Sequence, residues 1–287
     1  MADEGTALGR VLRRAGGPET LDVLAGRLSG ADLTTLLLEA MRLRARDLAP
    51  ADVLRRYRHD RFTAPAEVPF ERLRRTEDAV LSAVPPEFEL VTLSPVAPLG
   101  AHSALAAVDQ NKVVSTIRNS EVAADPTNAL ALEAAVRRRS SGPEAAVRLA
   151  ALQRVVRAQR FPSGFSSHFT LFGLVTAGRD TGGLAFERRH LAEHLSLLSR
   201  AVRACGAEPE VRVTLLDPAF EAVASDLDAV GDPGRQSGRG YYGGLCFKVY
   251  AGDVEVGDGG FVDWTARLLG NRKERLLISA LGVDRLS

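Results

Sequence analysis

The spacing of apolar residues changes character near residue 65. Before that point apolar side chains recur every three or four positions, and Ser29 is well placed to cap the main segment, which predicts helices. A linker with two prolines follows at residues 62–68. We therefore predict a small helical N-terminal region, residues 1–65, and a larger core domain, residues 66–287. The apolar positions of the main N-terminal helix are Leu33, Leu36, Leu37, Ala40 and Met41.

Beyond the linker, helix-period and strand-period segments are mixed without strict alternation. The pattern predicts strands at residues 88–93, 112–117, 152–156, 169–176, 211–216, 241–250 and 253–257. It predicts helices at residues 70–83, 127–139 and 184–204, with a further one from Asp217. This order favours an α+β fold, an antiparallel sheet flanked by helices, over a doubly wound parallel sheet.

Composition and charge narrow the classes of partner. The 37 basic and 36 acidic residues nearly cancel, giving a formal charge of +1, whereas dedicated nucleic-acid binders usually carry a clear basic excess. No apolar run approaches the roughly 20 residues needed to cross a bilayer, so we expect no membrane association. Two cysteines and no signal peptide are typical of the reducing cytoplasm, where we expect the protein to act.

The common sequence motifs of nucleotide and hydrolase sites are absent from the sequence. It contains neither the dinucleotide fingerprint, nor a P-loop, nor a nucleophile elbow. His190 and His194, four residues apart with Glu193 between them, have the spacing of a zinc-binding helix. The alternative is a histidine pair beside the apolar stripe of the same helix. Since no third ligand is evident, we predict no metal site.

Five short segments occur in an order that carries more information than any one of them. They are Ala124-Asp125-Pro126-Thr127, Val156-Arg157-Ala158-Gln159, Tyr241-Tyr242-Gly243-Gly244, Asp258-Gly259-Gly260 and Leu281-Gly282-Val283-Asp284-Arg285. Their order and separations resemble the catalytic core of a class II aminoacyl-tRNA synthetase of the histidyl type. The resemblance covers about residues 70–287 and implies the antiparallel-sheet fold of that class.

The resemblance also implies a role for each matched position. In this family an arginine at the position of Arg157 clamps the α-phosphate of ATP, and one at the position of Arg285 lies against the adenine and the γ-phosphate. Arginine suits both tasks because it is planar, permanently charged and rich in donors. A carboxylate at Asp125 would neutralise a substrate ammonium. The other implied ligand-binding residues are Thr127, Gln159, Leu171, Val175, Tyr241, Tyr242, Gly259 and Gly260.

Each of these positions also has a purely structural interpretation. The arginines could form salt bridges, the tyrosines could pack in the core, and Asp125 with Thr127 could cap a helix. The ordered set, rather than any single residue, favours a ligand pocket.

Several polar residues of the family pattern are replaced. Gln159 stands for a glutamate, residues 164–167 lack both hairpin arginines, and Phe261 and Val262 replace an arginine and a tyrosine. Leu171 and Val175 stand where a glutamine and a glutamate contact histidine in the family. With Phe165 and Phe261 they predict a more apolar pocket and a less polar ligand.

Two further departures argue against tRNA charging. Ser237 stands where an arginine assists activation in the family, although Arg235 or Arg239 could substitute after a gap. The sequence ends two residues after Arg285, so we expect no anticodon-binding domain. Because losing charged donors aimed at a transition state costs orders of magnitude in rate, we do not expect tRNA as a substrate.

Two functional hypotheses remain. The first is a non-charging paralog that binds a small amino-acid-like ligand and acts by binding or regulation, as the resemblance to the regulatory subunit of ATP phosphoribosyltransferase implies. The alternative is a ligase that uses ATP, with Mg²⁺, to adenylate an amino acid or another carboxylate for a non-tRNA acceptor. Class II cores usually dimerise through their first motif, here about Phe70–Pro95. We therefore expect a homodimer, and a protein partner is a further expectation of the first hypothesis.

Overall fold

The chain forms two compact units in this computed structural model, which describes residues 6–161 and 166–287. One unit extends to Asp60 and includes residues 115–120, and the other comprises residues 61–114 and 121–287. The domain boundary after residue 65 stays a prediction.

The smaller unit is helical and has little buried apolar surface. Ser29 begins its longest helix, since its hydroxyl accepts from the Asp32 N–H at 3.1 Å, which confirms the predicted start. Leu12 is buried, whereas Leu36 and Met41 are each 49% exposed. Its helices therefore depend mainly on local spacing and capping. They are α1 (Ala7–Arg14), α2 (Glu19–Asp22), which continues into a π-helical turn (Val23–Arg27), α3 (Gly30–Arg46) and α4 (Pro50–Tyr57).

The larger unit combines helices with a large sheet. Its helices are α5 (Phe70–Ser82), α6 (Ala101–Ala106), α7 (Pro126–Ser140), α8 (Ala185–Ala204), α9 (Glu221–Ser225), α10 (Trp264–Leu269) and α11 (Val283–Leu286). Its strands are β1 (Glu89–Leu90), β2 (Val96–Pro98), β3 (Ser120–Val122), β4 (Val147–Val156), β5 (His168–Arg179), β6 (Pro209–Leu215), β7 (Val230–Gly231), β8 (Gly243–Ala251), β9 (Val254–Val262) and β10 (Glu274–Gly282). Short 3₁₀ turns lie at Gln110–Lys112 and Pro218–Phe220.

Eight of the strands form one sheet in the order β1-β4-β5-β10-β9-β8-β6-β7. The six inner strands are antiparallel to their neighbours, and only the two-residue strands at the edges, β1 and β7, pair in parallel. Strands β2 and β3 form a separate pair. The structure therefore confirms an α+β fold with a mainly antiparallel sheet.

Each face of the sheet buries a different helix. On one face α8 packs Leu191 and Leu198 against Phe172 and Phe247. On the other face α7 packs Leu130 against Val175, Trp264 and their neighbours. Because successive residues of a strand point to opposite faces, β5 contributes alternate residues to the two cores. Burial of apolar side chains on both faces is the main term that holds the layers together.

Most of the predicted elements are present, with shifted ends. The helix predicted at residues 127–139 is α7, and the one predicted at 184–204 is α8. The strand predicted at 112–117 is wrong. Asp109 accepts a hydrogen bond from the Asn111 N–H at 3.0 Å and turns the chain into a 3₁₀ turn there, so that the strand lies later, at Ser120–Val122.

Two further differences concern the strands around the candidate site. The strand predicted from Tyr241 begins at Gly243, so both tyrosines lie in the preceding turn. Strand β10 has no counterpart among the predicted elements, although it occupies the middle of the sheet. Its apolar run is buried on both faces and lacks the alternation that identifies a half-exposed strand.

Among the described residues, no helix has the length and apolar character needed to cross a membrane.

Candidate functional site

A cleft of about 810 Å³ lies in the larger unit, beside the N-terminus of α7 and the ends of β4 and β10. Among the described residues that line it, acidic side chains outnumber basic ones, five to three. A cleft lined by an excess of one charge attracts ligands of the opposite sign, so this one favours a cationic group. The charged residues that line it are Glu67, Asp125, Glu255, Asp258 and Asp284 with Arg72, Arg157 and Arg285.

Asp125 is both the N-cap of α7 and a wall of the cleft. Its Oδ1 accepts from the Thr127 N–H at 2.9 Å and from the Thr127 hydroxyl at 2.7 Å. The sequence dictates this start, because aspartate is a preferred N-cap and Pro126 at the first helical position needs no hydrogen-bond partner for its nitrogen. Its Oδ2 accepts from Arg157 Nη2 at 3.1 Å. The helix-cap interpretation and the pocket interpretation of Asp125 therefore both apply.

Arg157 is held in place by two partners on the same segment. Its Nε donates to the Ala124 carbonyl at 2.9 Å while its Nη2 reaches Asp125, and its guanidinium lies over the Phe169 ring at 5.2 Å. The position follows β4 directly, where the chain turns towards β5. The segment predicted to lack both hairpin arginines includes Gly164 and Phe165, which lie outside the described residues.

A buried polar network supports the peptide before Asp125. Glu121 accepts hydrogen bonds from the backbone of Gly100 and His102 and from the Gln110 amide, at 2.8–3.0 Å. His102 Nε2 accepts from the Ala124 N–H at 3.0 Å, so its Nδ1 carries the proton and donates to Glu121 at 2.6 Å. Burial alone would raise the pKa of Glu121, but the hydrogen bonds outweigh it and lower the pKa to about 2.

Asp258 places a second carboxylate in the cleft. Its Oδ2 accepts from the Tyr242 hydroxyl at 3.1 Å and from Arg235 Nη2 at 3.4 Å. Its side chain is 43% exposed. Burial in the cleft raises the pKa of Asp258, and the nearby guanidinium of Arg235 opposes that shift. The family resemblance implied ligand-binding roles for Gly259 and Gly260 but not for Asp258. The signal in the sequence that could have identified Asp258 is a carboxylate within a glycine-containing strand.

Tyr241 and Tyr242 form the wall behind Asp258. Their rings meet edge to face at 4.6 Å, and Tyr241 packs against Trp264 at 5.6 Å. Burial, with the nearby carboxylates, raises the pKa of both phenols well above the ordinary value, so both are neutral, and the Tyr242 hydroxyl donates to Asp258. Gly260 makes room for this wall, because a Cβ there would lie 2.6 Å from the Tyr242 ring.

Arg285 lines the same cleft as Arg157. It lies in α11, directly after β10, and its Nη1 donates to the Glu255 carbonyl at 2.6 Å. The preceding residue, Asp284, accepts from the Thr170 N–H at 2.8 Å and so ties α11 to β5. The two arginines implied by the resemblance therefore face one cleft, and their catalytic role stays a prediction.

Among the residues described, Tyr241, Tyr242 and Gly260 support Asp258 without lining the cleft themselves, and four other predicted site residues do not line it either. Thr127 is buried and takes part in the helix cap. Gln159 is half-buried, and its carbonyl accepts from Arg61 Nη1 at 2.7 Å. Val175 is fully buried beneath α7. Gly259 faces Phe247 on the opposite side of the sheet. Their ligand-binding roles stay predictions without a contact to support them.

The apolar character of the pocket stays a prediction, although two of the four residues named for it lie elsewhere. Leu171 lines the cleft, but Val175 packs beneath α7 and Phe261 packs in the core on the α8 side. Phe165 lies outside the described residues. Charged side chains share the lining of the cleft with other apolar ones, among them Phe161, Phe169 and Val256.

Neither arginine proposed to replace the missing one at Ser237 lines the cleft among the described residues. Arg235 is buried and donates to the carbonyls of Ser237 and Phe247, both at 2.8 Å. Arg239 donates to the carbonyls of Arg235 and Pro233 at 2.5 and 2.7 Å. Both guanidiniums therefore hold the loop before β8 in place, and Arg235 also orients Asp258.

The two histidines with zinc-like spacing serve the core. His194 is fully buried between the Thr176 hydroxyl at 2.9 Å and the Ser279 hydroxyl at 2.7 Å, and burial lowers its pKa to about 3. His190 hydrogen-bonds Glu193 at 2.8 Å. Within residues 6–161 and 166–287, no cluster of three or more His, Cys, Asp or Glu side chains could hold a metal ion.

Solved structures share this architecture. An ATP phosphoribosyltransferase regulatory subunit/histidyl-tRNA synthetase from Bacillus halodurans C matches with a TM-score of 0.60 and 13% identity, over 78% of this chain and 81% of its own. A histidine–tRNA ligase subunit from Alicyclobacillus acidocaldarius matches with the same TM-score and 15% identity, over 78% of this chain and 94% of its own. The chain has the class II synthetase fold.

A third kind of protein with a similar structure is a synthetase of different amino-acid specificity. A pyrrolysyl-tRNA synthetase from Desulfitobacterium hafniense matches with a TM-score of 0.52 and 16% identity, over 81% of this chain and 72% of its own. No protein-family model and no curated protein matches the sequence. At these identities the structural similarity shows a common fold only, and the chemistry of the cleft depends on its own residues.

Proposed function

We propose that this chain binds a small amino-acid-like ligand in the cleft and acts by binding or regulation, without charging tRNA. The observation that carries the proposal is the side-by-side placement of Asp125 and Arg157 at the cleft wall. A carboxylate next to a guanidinium is complementary to a zwitterion, whose ammonium would approach Asp125 and whose carboxylate would approach Arg157. The regulatory-subunit-like neighbours agree with a non-charging role.

The charges of the cleft fit a nucleoside triphosphate poorly. Among the described residues that line the cleft, five acidic side chains stand against three arginines. An ATP molecule would bring several more negative charges into this excess. Binding of ATP with Mg²⁺ therefore belongs to the alternative function only.

That alternative is an ATP-dependent ligase that activates an amino acid or another carboxylate. One observation favours it: Arg157 and Arg285 line the same cleft. Pyrophosphate exchange into ATP, measured with each amino acid and a set of small carboxylic acids, separates the two functions. Exchange that depends on one particular acid would establish the ligase, and no exchange by folded protein that binds an amino acid supports the first proposal.

Replacement of Asp125 tests the binding proposal. We expect Asp125→Asn to weaken binding of amino acids by roughly tenfold or more, because it removes the charge that faces the ammonium. Asparagine is as good an N-cap as aspartate, so the start of α7 is preserved. Calorimetric titration of the amino acids into wild-type and variant protein measures the effect.

Asp217→Asn is the matched control for this experiment. Asp217 caps the 3₁₀ turn at Pro218–Phe220 by accepting from the Ala219 N–H at 2.9 Å, and it is not among the residues that line the cleft. Binding should be unchanged in this variant. Equal affinity of wild type and Asp125→Asn would contradict the proposed zwitterion site.

We also propose that the protein is a homodimer that presents a surface to a further protein partner. Phe70, at the start of α5, is 79% exposed and borders a shallow groove that includes Leu73 and Leu152. A large aromatic side chain exposed beside apolar neighbours is typical of an interface. The mass of wild type and Phe70→Glu in solution tests this, since the proposal requires a wild-type dimer that the charge weakens.

A further inference from the structure

Asp258 faces the cleft at a position that can be located relative to Asp125. Along one level of the sheet, Gly173 on β5 pairs with Ala280 on β10, which in turn pairs with Asp258 on β9. Pro126, next to Asp125, covers Gly173 so closely that a Cβ there would lie 2.6 Å from its ring. The Asp258 backbone therefore lies about two strand spacings, roughly 10 Å, from the Gly173 backbone that Pro126 covers, and Asp125 lies beside Pro126 at that end of the level.

Apolar side chains line the cleft along and beside this level of the sheet. Ala280 lines the cleft at the middle of this level, and Leu171 lines it nearby on β5. Residues paired across an antiparallel sheet point to the same face, so the Ala280 methyl lies between the two acidic positions. The spatial order is a carboxylate, an apolar side chain and a second carboxylate. This arrangement is complementary to an alkyl chain that carries a positive charge at each end.

The Asp258 carboxylate is oriented in advance without being fully neutralised. Tyr242 and Arg235 both reach one oxygen, Oδ2, and the contact from Arg235 is long at 3.4 Å. Arg235 meanwhile makes two shorter bonds, each 2.8 Å, to backbone carbonyls. The side chain of Asp258 remains 43% exposed to the cleft. A fixed and incompletely compensated carboxylate is a binding group for a cation.

We infer that the ligand is an amino acid with a cationic alkyl side chain, and that Asp258 binds the side-chain cation. The inference rests on the proposed function, in which Asp125 and Arg157 take the α-ammonium and the α-carboxylate. In an extended lysine six bonds of about 1.5 Å, in a zigzag, separate the two nitrogens by roughly 7 Å. Each nitrogen can approach its carboxylate from the open side of the cleft, so the nitrogen-to-nitrogen distance need only match the separation of the two carboxylates, which such a ligand can span.

Matched pairs of amino acids test the inference on the full chain. Lysine with norleucine, ornithine with norvaline, and arginine with citrulline differ in the side-chain charge while keeping similar length. In wild-type protein we expect at least one cationic member to bind roughly tenfold to a hundredfold more tightly than its neutral partner. Asp258→Asn should bring that ratio close to one and leave the affinity for the neutral partner unchanged.

Asp263→Asn is the control, at the residue that follows the strand containing Asp258. Asp263 follows β9, is exposed, and pairs with Arg267 at 3.6 Å, and the ratio should keep its wild-type value in this variant. Asparagine at 258 still offers an acceptor to the Tyr242 hydroxyl, and thermal unfolding checks that the variant is folded. The wild-type ratios test the inference even without that variant.

The outcomes separate this inference from the function on which it rests. Neutral members that bind as tightly as the cationic ones, with binding still weakened by Asp125→Asn, would overturn the role of Asp258 and leave the zwitterion site standing. No binding of any of the six amino acids would contradict both. A cationic preference that survives Asp258→Asn would also overturn the assignment.

Discussion

Glu121 and Asp258 are both carboxylates on strands of the larger unit, and they differ in how their charge is compensated. Glu121 is fully buried and accepts hydrogen bonds from two backbone N–H groups, an imidazole and an amide. Asp258 receives two contacts, both on one oxygen, and keeps 43% of its side chain exposed. The pKa of Glu121 is lowered to about 2, whereas that of Asp258 is raised.

The contrast distinguishes a structural carboxylate from a binding one. A buried charge whose acceptors are all occupied stabilises the fold, and it has nothing left to offer a ligand. A carboxylate that is incompletely compensated costs stability in the free protein and regains it when a cation binds. The hydrogen bonds of Glu121 also hold His102 against the Ala124 N–H. The buried network around Glu121 therefore positions the peptide that precedes Asp125 in the cleft.

The largest effect is expected from Glu121→Gln. The new amide N–H₂ would face groups that are themselves donors, and the variant should lose about 2–4 kcal/mol of unfolding free energy. Chemical denaturation at pH 7 measures it. Glu89→Gln is the control, since Glu89 pairs with Arg137 at the surface with its side chain 60% exposed, and it should cost less than about 1 kcal/mol. Equal losses would remove the distinction between the two sites.

The same residue predicts part of the acid response. A folded pKa of about 2 lies below the ordinary value of 4.5, so the stabilisation from Glu121 is complete above the ordinary value. It is lost as the pH falls through that range towards 2. Denaturation curves between pH 6 and pH 3 should show a smaller loss of stability with falling pH for Glu121→Gln than for wild type.

Gly260→Ala should have the next largest effect. A Cβ at this position would lie 2.6 Å from the Tyr242 ring and 2.9 Å from Cys246 Cβ, and overpacking of this kind costs about 1–3 kcal/mol. The wall that orients Asp258 would move, so amino-acid binding should weaken as well. Gly243→Ala is the control, because nothing lies within 4 Å of a Cβ there. A stable Gly260→Ala variant with unchanged binding would contradict the role of the tyrosine wall.

The preference for a cationic ligand should depend on pH. Since the pKa of Asp258 is raised, its charge is lost at a higher pH than that of an ordinary aspartate. Burial is the largest cause of this shift, and the neighbouring groups that modify the pKa are Arg235, Asp125, Tyr242 and Glu255. The lysine-to-norleucine affinity ratio should therefore fall towards one as the pH is lowered, at a pH above the ordinary aspartate pKa of 3.8. Titrations at several pH values measure it, and a ratio independent of pH down to the ordinary pKa of 3.8 would contradict the assignment.

The smallest effect concerns the stability of Asp258→Asn. A carboxyl group whose folded pKa is raised contributes less stability in its charged form than in its protonated form. Neutralising Asp258 should therefore leave the unfolding free energy at pH 7 unchanged or raise it by less than about 1 kcal/mol. This sign is opposite to that of Glu121→Gln. A loss as large as that of Glu121→Gln would mean that Asp258 is structural.

Local patterns identified the elements whose causes lie within a few residues. The N-cap of α3 at Ser29, the start of α7 after Asp125 and the amphipathic helix α8 were predictable because caps and helical spacing act over one turn. The strand predicted at residues 112–117 was wrong because a side chain three residues earlier turns the chain. Strand β10 was missed because a strand buried on both faces has no alternation.

The candidate site follows the same division. The sequence alone determined the α+β class, the order of the motif-like segments and the residue types that they contain, since these depend on local pattern and chain order. Only the tertiary structure decided that Asp125, Arg157 and Arg285 share one cleft and that Asp258 joins them, while Val175 and Gly259 face elsewhere. Strand register and sheet face fix which side chains meet, and a shift of one residue reverses both. Register and face depend on the pairing of strands that are distant in the sequence, and local residue spacing does not specify that pairing.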